Sequence, residues 1–353
     1  MKKLFRYSAH LFALVAMFAL VLAACGSQST GSNSSSPITV NLGYFPNLTH
    51  AVALVGVARG TFQQALGPNV KLATKTFNAG PAEIEALFAG DIDIGFVGPG
   101  PAINGYIKSN GQALRIIAGA SSGGVLFVVR PGANINSPQD LVGKKLADPQ
   151  VGGTQDIALR YYLQQHGLKP ADKGGNVQII STDNATILSL FKQGKIDGAW
   201  MPEPWATRMV VEGHGKVFLD ERSLWPNQQF TTTNIVVRTA FMNQHPDLVS
   251  KFLQADIETV QYIQNNTQSA LNLVNSQLQQ ITGKGIASNE LTTAFSHMIV
   301  TYDPISSSIN TQANRSYALG YLGSSNPNLS DLYNLGPLNQ VLTSKGLATV
   351  SGP

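Results

Sequence analysis

Two widely separated stretches of the chain carry one pattern: LFAGDIDIGFVGPGPA at 87–102 and LFKQGKIDGAWMPEPWA at 190–206. With one extra residue after the Leu-Phe pair of the second copy, Leu87, Phe88, Gly90, Ile92, Asp93, Gly95, Phe96 and Ala102 face Leu190, Phe191, Gly194, Ile196, Asp197, Ala199, Trp200 and Ala206. Each copy ends an apolar-periodic helix, stops it with Gly, and runs through a short buried strand. Each then turns through Gly and Pro into a further helix with Pro just inside its start. A solenoid would repeat this every ~20–50 residues. One strand-to-helix corner in each half of the chain instead predicts two similar lobes.

The sequence around the two copies keeps the same rhythm. ITVNLGYFP (38–46), VKLATKTFNAG (70–80) and IDIGFVG (92–98) read as strands. Helices open between them at Asn47 or Thr49, at Gly80-Pro81, and after the Pro-Gly-Pro turn. GPAEIEALFAG places Ile84, Leu87 and Phe88 at i, i+3 and i+4, with Glu83 in the first turn. After the long apolar run GGVLFVVRPGANI (123–135) the rhythm starts afresh. Ser137 caps a short helix, Lys145 to Ala147 make a strand, and Gly152-Gly153-Thr154 lead into an amphipathic helix. Strands alternating with helices predict an α/β fold with mainly parallel sheets. The strands near 125–130 and 231–238 are expected to cross between the lobes. Lobe 1 is then 38–129 plus 236–353, and lobe 2 is 130–235.

The start of the chain, MKKLFRYSAHLFALVAMFALVLAAC, has the anatomy of a secretory signal: positive residues, an apolar stretch from Leu11 to Leu22, and small residues before a cysteine. The apolar stretch is shorter than the ~20 residues a membrane span needs. LAAC at 22–25 resembles the bacterial lipobox, so residues 1–24 read as a signal peptide and Cys25, the sole cysteine, as a lipidated first residue. GSQSTGSNSSSP (26–37) reads as a flexible tether. The expected location is extracytoplasmic, lipid-anchored to the cell membrane in a periplasm or on an outer face. Lys2, Lys3 and Arg6 account for most of the net charge of +4; without them 21 Lys+Arg stand against 20 Asp+Glu. That balance gives no footing for nucleic acid.

Several stretches together, GYFPNLTHAVALVGVARGTF, FNAGPAEIEALFAGDIDIGFVGPGPAINGY, SPQDLVGKKLADPQVGGTQDIALRYYLQQHGL, FKQGKIDGAWMPEPWATRMV and HPDLVSKFL, resemble the solute-binding proteins of ABC importers for nitrate, aliphatic sulfonates and taurine. The likeness runs from Ile38 to about Leu253, with echoes in TYDP (301–304) and LYNLGPLNQVL (332–342). It implies a type II periplasmic-binding-protein fold, two Rossmann-like lobes joined by two crossover strands, with ligand held in the cleft and released to a membrane permease and its ATPase. The same family includes binders of thiamine-pyrimidine and riboflavin-like compounds. An enzyme or a sensor subunit on the same fold is the further alternative. A monomer without cofactor is expected.

In open α/β sheets ligands sit beyond the carboxyl ends of the strands. That rule selects Tyr44, Asn47, His50, Gly80, Pro99, Gly100 and Ser122 from the first lobe, and Gly153, Thr154, Gln155, Glu203 and Trp205 from the second. Three or four helix starts aimed into one cleft make an anion site without Lys or Arg. Glu203 is the discordant member, because a carboxylate repels an anion unless it meets a ligand amine or caps a helix. Catalytic motifs fail on context. GASSG (119–123) has the letters of a nucleophile elbow, but a strand follows where a helix is required. GPGPAING has Ile103 where a dinucleotide fingerprint needs Gly. His50, His166, His214, His245 and His297 show no metal-ligand spacing.

Overall fold

Among the described residues, short apolar runs punctuated by Gly and Pro build eleven strands: β1 Ile38–Tyr44, β2 Val70–Thr76, β3 Ile94–Val97, β4 Leu114–Gly123, β5 Val125–Val129, β6 Lys145–Asp148, β7 Gln178–Ser181, β8 Gly198–Pro202, β9 Lys216–Asp220, β10 Thr231–Arg238 and β11 Met298–Val300. The computed structural model describes residues 38–324 and 328–352. The signal peptide, the lipidated Cys25 and the tether fall in 1–37 and lie outside the described residues. β3, β5 and β8 are buried along their whole length, as strands are when helices cover both faces of a parallel sheet.

The strands form a six-stranded sheet, β11-β4-β10-β3-β1-β2, and a five-stranded one, β7-β6-β8-β5-β9. Both have the same plan. β2, β1 and β3 are mutually parallel and β10 returns antiparallel beside β3. β7, β6 and β8 are parallel and β5 returns antiparallel beside β8. The repeated sequence is therefore the third strand of each sheet with the corner after it: β3 turns into the Pro99–Lys108 helix, β8 into the Trp205–Val211 helix.

Each strand expected to cross between lobes lies wholly in one sheet, β5 in the second and β10 in the first. The chain changes sheets at Gly123–Gly124, both at φ 75°, a conformation glycine reaches without strain. It returns between Asp220 and Thr231. The lobe boundaries thus sit at Gly123–Gly124 and in 221–230, not at 129 and 235, because the left-handed glycine pair supplies the bend that an unbroken strand lacks. Helices from Pro246–Asn265 onward pack on the first sheet through Leu248, Phe252, Ile257 and Leu271. GASSG lies inside β4 and runs on into β5, so it makes no strand-to-helix turn. No helix among the described residues is long and apolar enough to cross a membrane.

Candidate functional site

Beyond the carboxyl ends of β1, β3, β6 and β8 the two lobes enclose a cavity of about 30 Å³. Asn47, Thr49, His50, Asn78 and Gly80 line it from the first lobe, Gln150, Gly153, Thr154, Gln155 and Asn184 from the second, and Thr232 and Thr233 from β10. Among the described residues, no Lys, Arg, Asp or Glu lines it. A wider mouth of about 690 Å³ shares Asn78, Ala79, Pro149 and Gln150 with it, and Asp183 is the charged side chain there.

Two helix starts supply the electrostatics. The Gly80–Ala89 and Thr154–Gln165 helices follow extended residues, Ala79 and Gly153, and neither has a side-chain cap. Their first-turn N–H groups have no partner within the helix, and each start carries an effective charge of roughly +0.5. The other two starts behave differently. Asp183 caps the Asn184–Lys192 helix, accepting from the Thr186 N–H at 2.9 Å and the Thr186 hydroxyl at 2.6 Å. Burial pushes the Asp183 carboxyl up, but these bonds overcome it and hold the group below the usual carboxylate range.

The Pro99–Lys108 helix has Pro99 and Pro101 in its first turn, neither of which has an N–H to offer. Its free donor, the Gly100 N–H, goes to the Thr154 hydroxyl across the cleft at 3.3 Å. A Cβ on Gly98 would collide with that hydroxyl. One on Gly100 would stand 2.8 Å from the Ile157 side chain and 3.2 Å from the Thr154 Cα. These glycines let the two lobes touch.

His50 is buried against Phe45, ring centroids 4.2 Å apart, and its Nδ1 accepts from the Phe45 N–H at 3.3 Å. Burial lowers its pKa to about 3, so the ring is neutral at physiological pH. With Nδ1 an acceptor, Nε2 carries the proton and is a donor without charge.

The structure thus brings Asn47, His50, Gly80, Gly153, Thr154 and Gln155 to one cavity. The remaining candidates stand elsewhere. Tyr44 is packed in the core of the first lobe. Pro99 is buried in the first turn of its helix and is not among the cavity walls, and Gly100 faces the opposite lobe, as above. The Ser122 hydroxyl accepts from the Phe230 N–H at 3.1 Å, where the chain changes sheets. Trp205 donates from Nε1 to Asn47 Oδ1 at 2.9 Å, a bond between lobes, and is not among the cavity walls. Glu203 is fully buried, and its carboxylate accepts from the Thr207 N–H and hydroxyl, both at 2.9 Å, with His297 Nδ1 at 2.6 Å. It ties the corner helix to the other lobe. Asn78, Gln150, Thr232 and Thr233 line the cavity without having been singled out from the sequence; the polar run TTTN inside an otherwise apolar strand was the available signal.

Comparison with known proteins bears on the fold and the family. The chain is 30% identical over 215 residues to the taurine-binding periplasmic protein of Escherichia coli, covering 60% of this chain and 63% of that protein, less than two thirds of its length. The alkanesulfonate-binding protein of Xanthomonas axonopodis pv. citri, solved bound to MOPS, superposes with a TM-score of 0.69 at 17% identity, covering 82% of this chain and 96% of that one. The nitrate-binding protein of Synechocystis superposes with a TM-score of 0.66 at 16% identity, covering 87% and 88%. At such low identity these likenesses speak for the fold, the type II periplasmic-binding-protein architecture in two lobes. The NMT1-like family matches residues 33–275, and the chain belongs to that family.

Proposed function

We propose that the chain is the extracytoplasmic solute-binding component of an ABC importer. It takes a small oxyanion or organosulfonate, nitrate, taurine or an aliphatic sulfonate, into the cleft and delivers it to the permease and its ATPase. One observation carries the reading: two uncapped helix starts and a ring of neutral polar groups meet at a cavity without a charged wall. Backbone N–H groups at helix starts hold anions without a countercharge. Each hydrogen bond to a charged ligand contributes about 1.5–3 kcal/mol. Micromolar affinity takes about 8 kcal/mol, so the two helix turns with His50, Asn47 and Thr233 offer enough donors.

The floor of about 30 Å³ favours a compact head group and speaks against a riboflavin-like ring. An organic tail passes Asn78 and Gln150 into the mouth, where an ammonium group meets Asp183. That feature favours taurine among the sulfonates. The related proteins named above are binding proteins, which supports a carrier rather than an enzyme. The leader and Cys25 support anchoring by acyl chains, each buried methylene adding ~0.8 kcal/mol. In this reading the lobes, in a monomer, close about Gly123–Gly124 and the 221–230 segment.

A thermal-shift panel of taurine, ethanesulfonate, nitrate and an aminopyrimidine tests it. A ligand at ~100 times its Kd stabilises by about 2.7 kcal/mol, and silence across the panel contradicts the solute class. Asp183→Asn is expected to weaken taurine by roughly two- to ten-fold, in the range of an exposed ion pair, and to leave ethanesulfonate unchanged. Equal loss for both would remove the mouth from selection.

A further inference from the structure

A second cavity, about 330 Å³, lies between the lobes and shares no wall residue with the cleft or its mouth. Arg160, Leu168, Lys169 and Lys173 face it from the second lobe, Leu319 and Tyr321 from the first. Its volume falls within the ~300–1,000 Å³ of small-molecule sites, and its walls divide into a basic side and an apolar one.

The charges around it do not cancel. Arg160 is matched, its Nε on Asp156 at 2.5 Å and its Nη1 on Asp172 at 2.9 Å. Asp156 is also engaged by the Gly152 N–H at 2.8 Å and by the Tyr321 hydroxyl at 2.5 Å. Burial, and then the Asp156 charge, push the nearby Asp148 carboxyl up toward its neutral form. Lys169 and Lys173 enter no ion pair among the described residues. The cavity is left with a positive excess, desolvated on one flank by Leu168 and Leu319.

We infer that this cavity binds a small organic anion with an apolar flank, its charge held by Lys169 and Lys173 and its flank resting on Leu319 and the Tyr321 ring, and that its occupancy favours the closed lobes. The coupling is geometric. Tyr321 belongs to the first lobe, and its partner Asp156 sits in the first turn of the Thr154–Gln165 helix, whose start faces the cleft. A ligand lodged between Tyr321 and the lysines touches both lobes at once, a contact that parting the lobes removes. A ligand that prefers one arrangement shifts the population toward it. By linkage it then raises the affinity of whatever the cleft takes, and the cleft ligand raises its own. The site itself stands independently of what the cleft binds.

Isothermal titration of the protein with phenyl phosphate is the test. Saturable binding to the wild type is expected, weakened by roughly ten-fold or more in Lys169→Glu/Lys173→Glu. Both lysines are exposed, so the variant should keep the wild-type circular dichroism and melting point. The milder Lys169→Gln/Lys173→Gln pair repeats the measurement should charge reversal disturb folding. Failure of the wild type to bind at about 10 mM overturns the proposal. So does undiminished binding to both variants, which would put the probe elsewhere. Taurine binding by these variants is read in parallel, so that failure of this cavity and failure of the cleft are told apart.

Discussion

The two corners, Gly98–Ala102 and Pro202–Ala206, share a sequence pattern and a place in their sheets, yet they do opposite work. The first is bare. Gly98 and Gly100 carry no side chain, and the lobes meet there backbone against side chain through the Gly100–Thr154 hydrogen bond. The second is dressed. Glu203 and Trp205 reach out, one to Thr207 and His297, the other to Asn47. Its main chain is tied as well: the Glu203 N–H donates to the Gly124 carbonyl at 2.8 Å, and the Leu48 N–H donates to the Glu203 carbonyl at 3.0 Å. One corner is a bare contact between the lobes, the other a brace beside the Gly123–Gly124 switch between the sheets. A duplicated motif fixes where a turn is built and leaves open what the turn is for.

Gly100→Val should break the comparison most. The three atoms nearest its Cβ all belong to Thr154 and Ile157 of the opposite lobe, so parting the lobes is expected to relieve the clash with each lobe keeping its fold. The unliganded melting point is expected to change little, while ligand affinity falls by about a hundred-fold or more, roughly 2.7 kcal/mol. A variant that binds normally would mean that Gly98 and Gly100 are ordinary turn residues.

Glu203→Ala should show the converse. It strands the buried Thr207 N–H and the His297 ring, and the cost of such unsatisfied groups is ~1–3 kcal/mol. Stability to urea is expected to drop by that amount, and binding, measured well below the transition, by less. A larger loss of affinity than of stability would return Glu203 to the ligand. Asn47→Ala sharpens the contrast at smaller scale: it removes the Trp205 bond and one cavity wall, for ~1 kcal/mol of affinity, with a change in Trp205 fluorescence as the direct readout.

Much of this was legible in the chain. Apolar runs such as VLFVV and the Gly and Pro stops give strands and helices because burial and backbone freedom are local properties. The expectation that helix starts would furnish an anion site rested on the same local logic. Which starts do so depends on how the lobes meet, and that is not local. Pro99 and Pro101 remove the donors of one start, Asp183 occupies another, and Thr154 turns its hydroxyl toward Gly100. Nothing near Glu203 in sequence announces His297, ninety-four positions away, as the partner of that buried carboxylate. Thr232 and Thr233 read as plain strand because their register, set by β4 and β3, is what brings them to the cavity.

The central claim is that backbone at helix starts, without a cation, holds the head of the ligand. A crystal structure with ethanesulfonate measures this directly. Sulfonate oxygens about 2.7–3.2 Å from the first-turn N–H groups of the Gly80–Ala89 and Thr154–Gln165 helices are the expected result. A sulfonate paired instead with Lys or Arg, beside Lys169 and Lys173 for instance, would contradict it.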